Sequence, residues 1–301
     1  MTYVLVNDLE HGMVLAQDIE NEIGTIILSR GVTITGQIIK KLLQLDIDLV
    51  AVKKKVGSSI EARKNKESKI KEQILLKKIH SLGSSFSKTY EKARLDDNLD
   101  IRELQINIIE LVREIKTNNS IIALLIYKEF DKDPIRNHAI SVAVTSAIIG
   151  KYHGYSLKEM MNLTLTGLLH DIGKSRLPDT ILDDKAVDSE AKTKALRLHP
   201  VIGYRFLEKH AGFQADILNG VLDHHEQFDG NGYPRGLRGK EINEFARVIY
   251  IANLYFHHMC NIIKYVEVTP LEILDKMYLE HINHIDSDIY SAFRKGLIES
   301  A

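Results

Sequence analysis

Residues 163–174 read LTLTGLLHDIGK, an apolar run that closes on the adjacent pair His170 and Asp171 and then on Gly173 and Lys174. Apolar residues at three-to-four spacing continue through residues 157–170, which predicts a helix with the pair at its end. There both side chains can leave the helix toward one point. An imidazole nitrogen beside a hard carboxylate oxygen suits a borderline cation such as iron or manganese. Alone the dipeptide is a weak sign, because a helix-terminal His-Asp pair also serves as a cap or a surface ion pair.

Further histidines change its weight. His224 and His225, in LDHHEQFDG, end a second apolar helix over residues 213–225. Behind them comes an irregular stretch, residues 226–243, dense in turn formers, DGNGYPRGLRG. A loop of that length inside a helical domain is usually functional or disordered. His138 in IRNHAISVA and His199 in LRLHPVIGY lie in the helical patterns of residues 135–149 and 189–209. A polar ring on an apolar face needs a partner, and each of these taken singly reads equally as a hydrogen-bonded histidine. Five histidines and an aspartate distributed over several helices are, together, what a two-metal site in a bundle requires, since facing helices can converge ligands inward.

Around this constellation the patterning is mostly helical, with a further helix over residues 101–115. The exception is the start of the chain. Short strands are expected over residues 3–6, 13–19, 25–28 and 49–52, and a short helix over residues 35–45 opens on a Thr35 cap. Residues 58–94 are rich in Lys, Glu and Ser, with Ile70, Ile74, Leu75, Ile79 and Leu82 as a loose apolar stripe, and read as a connecting helix. The expected fold is mainly α: a small β-rich module over residues 1–55, a helical linker over 56–98, and a helical-bundle domain over 99–301.

The composition agrees. With 301 residues and 44% hydrophobic content, the chain can bury a sizeable core, and at about 150 residues per domain its length suggests roughly two domains, or one domain with a small module. A formal net charge of -1 without a polybasic tail argues against nucleic acid and anionic membrane surfaces as partners. Cys260 is the single cysteine, which excludes an internal disulfide framework and fits a reducing compartment. The opening MTYVLVNDLEHG has no basic-then-apolar leader, and the most apolar short run, residues 121–127, is too short to span a bilayer. The cytoplasm is the expected location.

The order His138, then HDIGK, then HPVIG at 199–203, then HHEQFDGNGYPRGLRG at 224–239 resembles the HD-GYP family of cyclic di-GMP phosphodiesterases. The resemblance covers residues 130–300. It implies that His138, His170, Asp171, His199, His224 and His225 ligate two divalent metal ions, iron or manganese, with Asp171 bridging them. It further implies that Asp171 and Lys174 are catalytic, Lys174 standing beside the substrate phosphate. Asp229, Gly232, Tyr233, Pro234, Arg235 and Arg238 would line the substrate cleft. The implied reaction opens cyclic di-GMP to pGpG, with GMP after a second cleavage. The implied partners are diguanylate-cyclase domains or other signalling proteins at the GYP loop, and a second copy of the chain through the linker helix. The small β-rich module, GMVLAQDI followed by GTIILSRGVTIT, is similar to one found ahead of such domains and would be regulatory.

Three departures from the family pattern bear on activity. Asn253 stands where a metal-binding aspartate is expected, Phe256 where a second aspartate is expected, and residues 262–265 where an arginine-rich substrate contact would lie. A neutral amide oxygen is a poorer ligand than a carboxylate for such cations. His257 and His258 are the candidates to compensate, the other reading being that they face solvent. Pro134 replaces a glutamate that serves an additional metal in some members, so a third metal of that kind is not expected. The competing reading is a degenerate member that binds cyclic di-GMP or a partner protein without turnover.

Overall fold

The computed structural model describes residues 2–20, 26–45, 47, 49–53, 58–96, 99–117, 133–182, 189–210, 212–262 and 269–300. The apolar run at 121–127 and residues 263–265 lie outside them. The chain divides into two compact units, Met1–Lys71 and Glu72–Ala301.

In the first unit β1 (Thr2–Leu5), β2 (Val14–Leu15) and β5 (Leu49–Lys53) form an antiparallel sheet in the order β1-β5-β2. A second pair joins β3 (Ile19–Glu20) and β4 (Ile26–Leu28). The strand expected over 13–19 is thus two strands, separated by a bend at Ala16 and Gln17, and Asp18 accepts the Arg30 amide beyond β4. The helix α1 (Gly36–Gln44) begins where Thr35 accepts the Ile38 amide at 3.4 Å. Leu15, Ile34 and Leu42 are fully buried beneath the sheet with Val6, Val50 and Val52.

The second unit is all helical among its described residues. Its axis is α4 (Pro134–His153), in which residues 139–150 are buried on every face. A helix apolar all round must be surrounded, and α4 packs against α3 (Arg102–Thr117), α5 (Leu157–Leu169), α10 (Glu244–Ile262) and α12 (Ser287–Ser300). Asp133 caps its start, accepting the Arg136 amide at 3.0 Å, and Gly154 ends it in the left-handed region at φ 91°. A reciprocal Ser156–Glu159 capping box then opens α5.

The segment read as a linker is helical, α2 (Ser58–Leu95), and its second half is core: Leu75, Ile79, Leu82, Phe86, Tyr90 and Ala93 are all buried. The pattern of residues 189–209 is not one helix but two, α7 (Glu190–Leu196) and α8 (His199–Glu208), with the short α6 (Asp179–Leu182) before them. Pro200 lacks the amide that a continuous helix would need and suits a first turn, so the break falls just before it. The break makes His199 the first residue of its helix. The helix α9 (Ala215–Asp223) precedes the irregular stretch, and α11 (Pro270–His281) completes the bundle. Among the described residues no helix is long and apolar enough to cross a membrane.

Candidate metal centre

Four helix ends deliver the chemistry to one place. His170 is the C-cap of α5, and Asp171 precedes a 3-10 turn, Ile172–Arg176, that carries Lys174. His199 opens α8, His224 is the C-cap of α9, and His138 lies in the second turn of α4. Gly173 allows this convergence. A Cβ there would lie 2.0 Å from the His199 carbonyl oxygen and 2.6 Å from the Gly203 nitrogen, so only glycine lets the turn approach α8.

Three of the imidazoles are held alike. The Nδ1 atoms of His170, His199 and His224 each face the carbonyl three residues back, those of Gly167, Leu196 and Val221, at 2.7, 2.5 and 2.6 Å. That contact places the proton on Nδ1 and leaves Nε2 with a lone pair. Yet Nε2 of His199 lies 3.1 Å from Nε2 of His224, and Nε2 of His138 lies 3.1 Å from that of His170. The Asp171 carboxylate sits between the two pairs. Its Oδ1 is 3.0 Å from His199 and 3.7 Å from His224; its Oδ2 is 3.4 Å from His170 and 3.5 Å from His138.

Protons do not resolve this crowding. Burial first, and then neighbouring imidazoles, push His138 down to about 3 and His224 and His225 well below the ordinary histidine value. Burial pushes Asp171 up, but Lys174 and the imidazoles outweigh it and hold its carboxyl well below the usual range. His199 and His224 thus aim Nε2 lone pairs at each other, His170 aims its own toward the same ionised carboxylate, and Asp171 Oδ1 is buried without a hydrogen bond among the described residues. Such a donor set is repulsive by itself and attractive around cations. Two groups have ligand atoms within 4.8 Å of one another: Asp171 with His199, His224 and His225, and Asp171 with His138 and His170. The residues therefore fit divalent metals.

Lys174 Nζ donates to Asp171 Oδ2 at 2.6 Å and remains part exposed beside the centre. The GYP loop is fastened from below. Glu226, buried, accepts the amides of Arg235, Gly236 and Leu237 at 2.6, 3.1 and 3.0 Å. A Cβ on Gly232 would fall 2.2 Å from the Gln227 nitrogen. Tyr233 stacks on His225 at 4.6 Å between ring centroids, and Arg197 lies 4.9 Å over the other ring system of the pair, that of Tyr233. Burial, then Asp171, pushes the Tyr233 phenol up to about 12, which keeps it a hydrogen-bond donor.

Arg235 and Asp229, also expected at the cleft, have partners of their own. Arg235 is a clamp rather than a free cation: its Nε donates at 2.9 Å to the fully buried Asp223, and its terminal nitrogen binds the other carboxylate oxygen. Asp229 accepts the Asn231 amide at 3.0 Å and faces His284 at 3.5 Å. Arg238 is exposed and takes its backbone partner from Glu241; Pro234 is exposed, on the loop. Of the alternative ligands, His257 lies with its ring 5.5 Å from that of His138, whereas His258 binds Glu280. Phe256 packs on His138 at 4.9 Å. Asn253, one turn earlier on that face of α10, has its side-chain oxygen buried without a partner among the described residues.

Sequence reading missed Tyr90, Asp223, Glu226 and Arg197. Tyr90 continues the apolar stripe of α2, and its buried hydroxyl has no hydrogen bond among the described residues; burial and then the charge of Asp171 raise its pKa. The signal was a hydroxyl on an apolar face, which periodicity scores only as hydrophobic.

Residues 103–289 match the model of the HD domain family. A 3'3'-cGAMP-specific phosphodiesterase of Vibrio cholerae is 30% identical over 161 residues, 53% of this chain and 35% of that protein. A cyclic di-GMP phosphodiesterase of Pseudomonas aeruginosa is 32% identical over 153 residues, 48% of this chain and 36% of that one. The chain thus spans about a third of the length of these relatives. In architecture it is similar to an HDG"Y"P protein of Bdellovibrio bacteriovorus, with a TM-score of 0.59 at 18% identity over 99% of both chains.

Proposed function

Because this chain belongs to the HD domain family and carries the motif set of its HD-GYP members, we propose that it is a metal-dependent phosphodiesterase of cyclic dinucleotides, with cyclic di-GMP as substrate. The observation that carries this reading is the Asp171 carboxylate lodged between two pairs of imidazoles whose Nε2 atoms converge at 3.1 Å. Divalent cations held there would neutralise phosphate charge and lower the pKa of water to about 7. His138 and His170 with Asp171 would hold one, and His199, His224 and His225 with Asp171 the other.

The remaining work falls to the protein's own groups. Lys174, anchored by Asp171, places its ammonium where charge accumulates on the phosphate oxygens. Tyr233, held by His225 and by the loop that Glu226 fastens, offers a phenolic donor and a ring on which a purine can stack. Arg197 adds a cation against that ring. The product of the first cleavage is pGpG, and of a second, GMP. Nothing in these side chains selects guanine over adenine at either position.

Anaerobic purification with metal analysis, followed by product analysis on cyclic di-GMP and on 3'3'-cGAMP, tests the proposal. Bound iron or manganese and release of the linear dinucleotide are expected. A protein that takes up no transition metal even on reconstitution would refute the reading. Asn253 favours the second reading, a protein that binds the dinucleotide with little turnover, because the amide brings no charge to the centre. That reading requires tight binding of cyclic di-GMP without product.

A further inference from the structure

A second cluster of imidazoles lies between α10 and α11, built from residues that the HD centre does not use. Adjacent residues on a helix point about 100° apart. While His257 turns toward His138, His258 faces Glu280 and His281 at the end of α11. His258 Nδ1 lies 3.0 Å from the Leu254 carbonyl one turn back and its Nε2 lies 2.9 Å from Glu280 Oε2, so both nitrogens face acceptors and a cation between Nε2 and Oε2 would replace the proton that otherwise bridges them. His258, Glu280 and His281 each offer a ligand atom within 4.8 Å of the others.

His281 has support of its own. Its Nδ1 lies 3.5 Å from Nδ1 of His284, and His284 Nε2 lies 3.5 Å from Asp229 Oδ2. One tautomer pattern suits the row: His281 gives its Nδ1 proton to His284, whose Nε2 proton then faces the Asp229 carboxylate. His281 Nε2 then keeps a lone pair. A metal-ligating histidine commonly hands its other proton to a chain of this kind ending in a carboxylate.

We propose that His258, Glu280 and His281 form a second transition-metal site, suited to Zn2+, that fastens α10 to α11 and reaches the GYP loop through His284 and Asp229. Two imidazoles and one carboxylate are a ligand set typical of zinc, with water at the remaining position. Glu280 is exposed, which leaves that position open to solvent. The link to the loop is direct, because the Phe228 amide also donates to the His284 carbonyl at 3.0 Å. The site would thereby stiffen the base of the loop that carries Tyr233. This assignment does not depend on the phosphodiesterase reading.

The test uses the full chain with Asp171→Ala, which disables the HD centre, stripped of metal and titrated with Zn2+ alone. About one equivalent should bind that is lost on adding His281→Ala and, as a milder change, Glu280→Gln. Circular dichroism checks that each variant remains folded, and Co2+ in place of zinc should give the absorption of a tetrahedral ion. Equal zinc uptake with and without the two further substitutions, or no uptake by the Asp171→Ala protein, overturns the proposal. Metal loss caused by Asp171→Ala itself reports on the HD centre, so the two failures are separable.

Discussion

At Asp171 a single carboxylate stands between two imidazole pairs, so its removal leaves lone pairs facing one another with no anion to hold a cation between them. Asp171→Ala should therefore lower metal affinity at this centre by more than about 100-fold, beyond what loss of a mere supporting hydrogen bond costs, and abolish any hydrolysis. Far-ultraviolet circular dichroism should stay that of the parent, since the residue lies in a turn and carries no helix. Full activity in that variant would mean that the centre is elsewhere. Asn253 makes the opposite prediction. Its amide oxygen is buried without a hydrogen bond among the described residues, on the face of α10 that brings Phe256 and His257 against His138. Asn253→Asp should raise metal occupancy, with an affinity gain on the order of tenfold. Unchanged stoichiometry and rate would place residue 253 outside the coordination sphere.

Among the elements, the turn after α5 and the loop after α9 decide whether the ligands meet. Gly173 admits α8 so closely that an added methyl would overlap the His199 carbonyl. Gly173→Ala should cost about 1–3 kcal/mol of stability, the usual range for overpacking, and weaken metal binding by displacing His199. Calorimetry and metal titration on one sample would read both, and a variant with the parent's melting temperature and affinity would contradict the packing argument. The loop depends on Glu226, whose carboxylate holds three successive amides. Glu226→Gln replaces one accepting oxygen with a donor that faces those amides. A raised KM for the dinucleotide with metal content unchanged is expected, and loss of metal instead would show that the loop shapes the centre itself.

Over the whole molecule, two consequences follow from how the core is distributed. The unit Glu72–Ala301 has its own contiguous core, into which the second half of α2 is built. A fragment of residues 72–301 should therefore unfold cooperatively and keep the metal centre; a fragment beginning at residue 99 should not, having lost Leu75, Leu82, Phe86 and Tyr90. Acid sensitivity is the other consequence. The folded state holds His138 down to about 3, and His224 and His225 well below their ordinary value, whereas in the unfolded chain they titrate near 6.5. Groups with a depressed folded pKa let the unfolded chain bind more protons, so their stabilisation is complete above about pH 6.5 and is lost as the pH falls toward the folded values. The metal-stripped protein should show a denaturant midpoint that declines steadily below about pH 6.5, and a flat midpoint down to about pH 4.5 would refute the assignment of neutral, buried imidazoles.

The amino-acid sequence by itself determined the helical class, the short strands of residues 1–53 and the helix capped by Thr35, because hydrophobic period and cap chemistry are local. It also determined the membership of His138, His170, Asp171, His199, His224 and His225 in one centre, since their order and the HDIGK and GYP contexts are written along the chain. Only the tertiary structure decided how those ligands face one another, that Arg235 answers the buried Asp223 rather than solvent, and that His258 turns away from the HD centre toward Glu280. Each of these depends on the rotation of a helix about its axis and on what a neighbouring helix presents there. Two adjacent histidines on α10 are alike in sequence, and the 100° turn between them sends them to different sites.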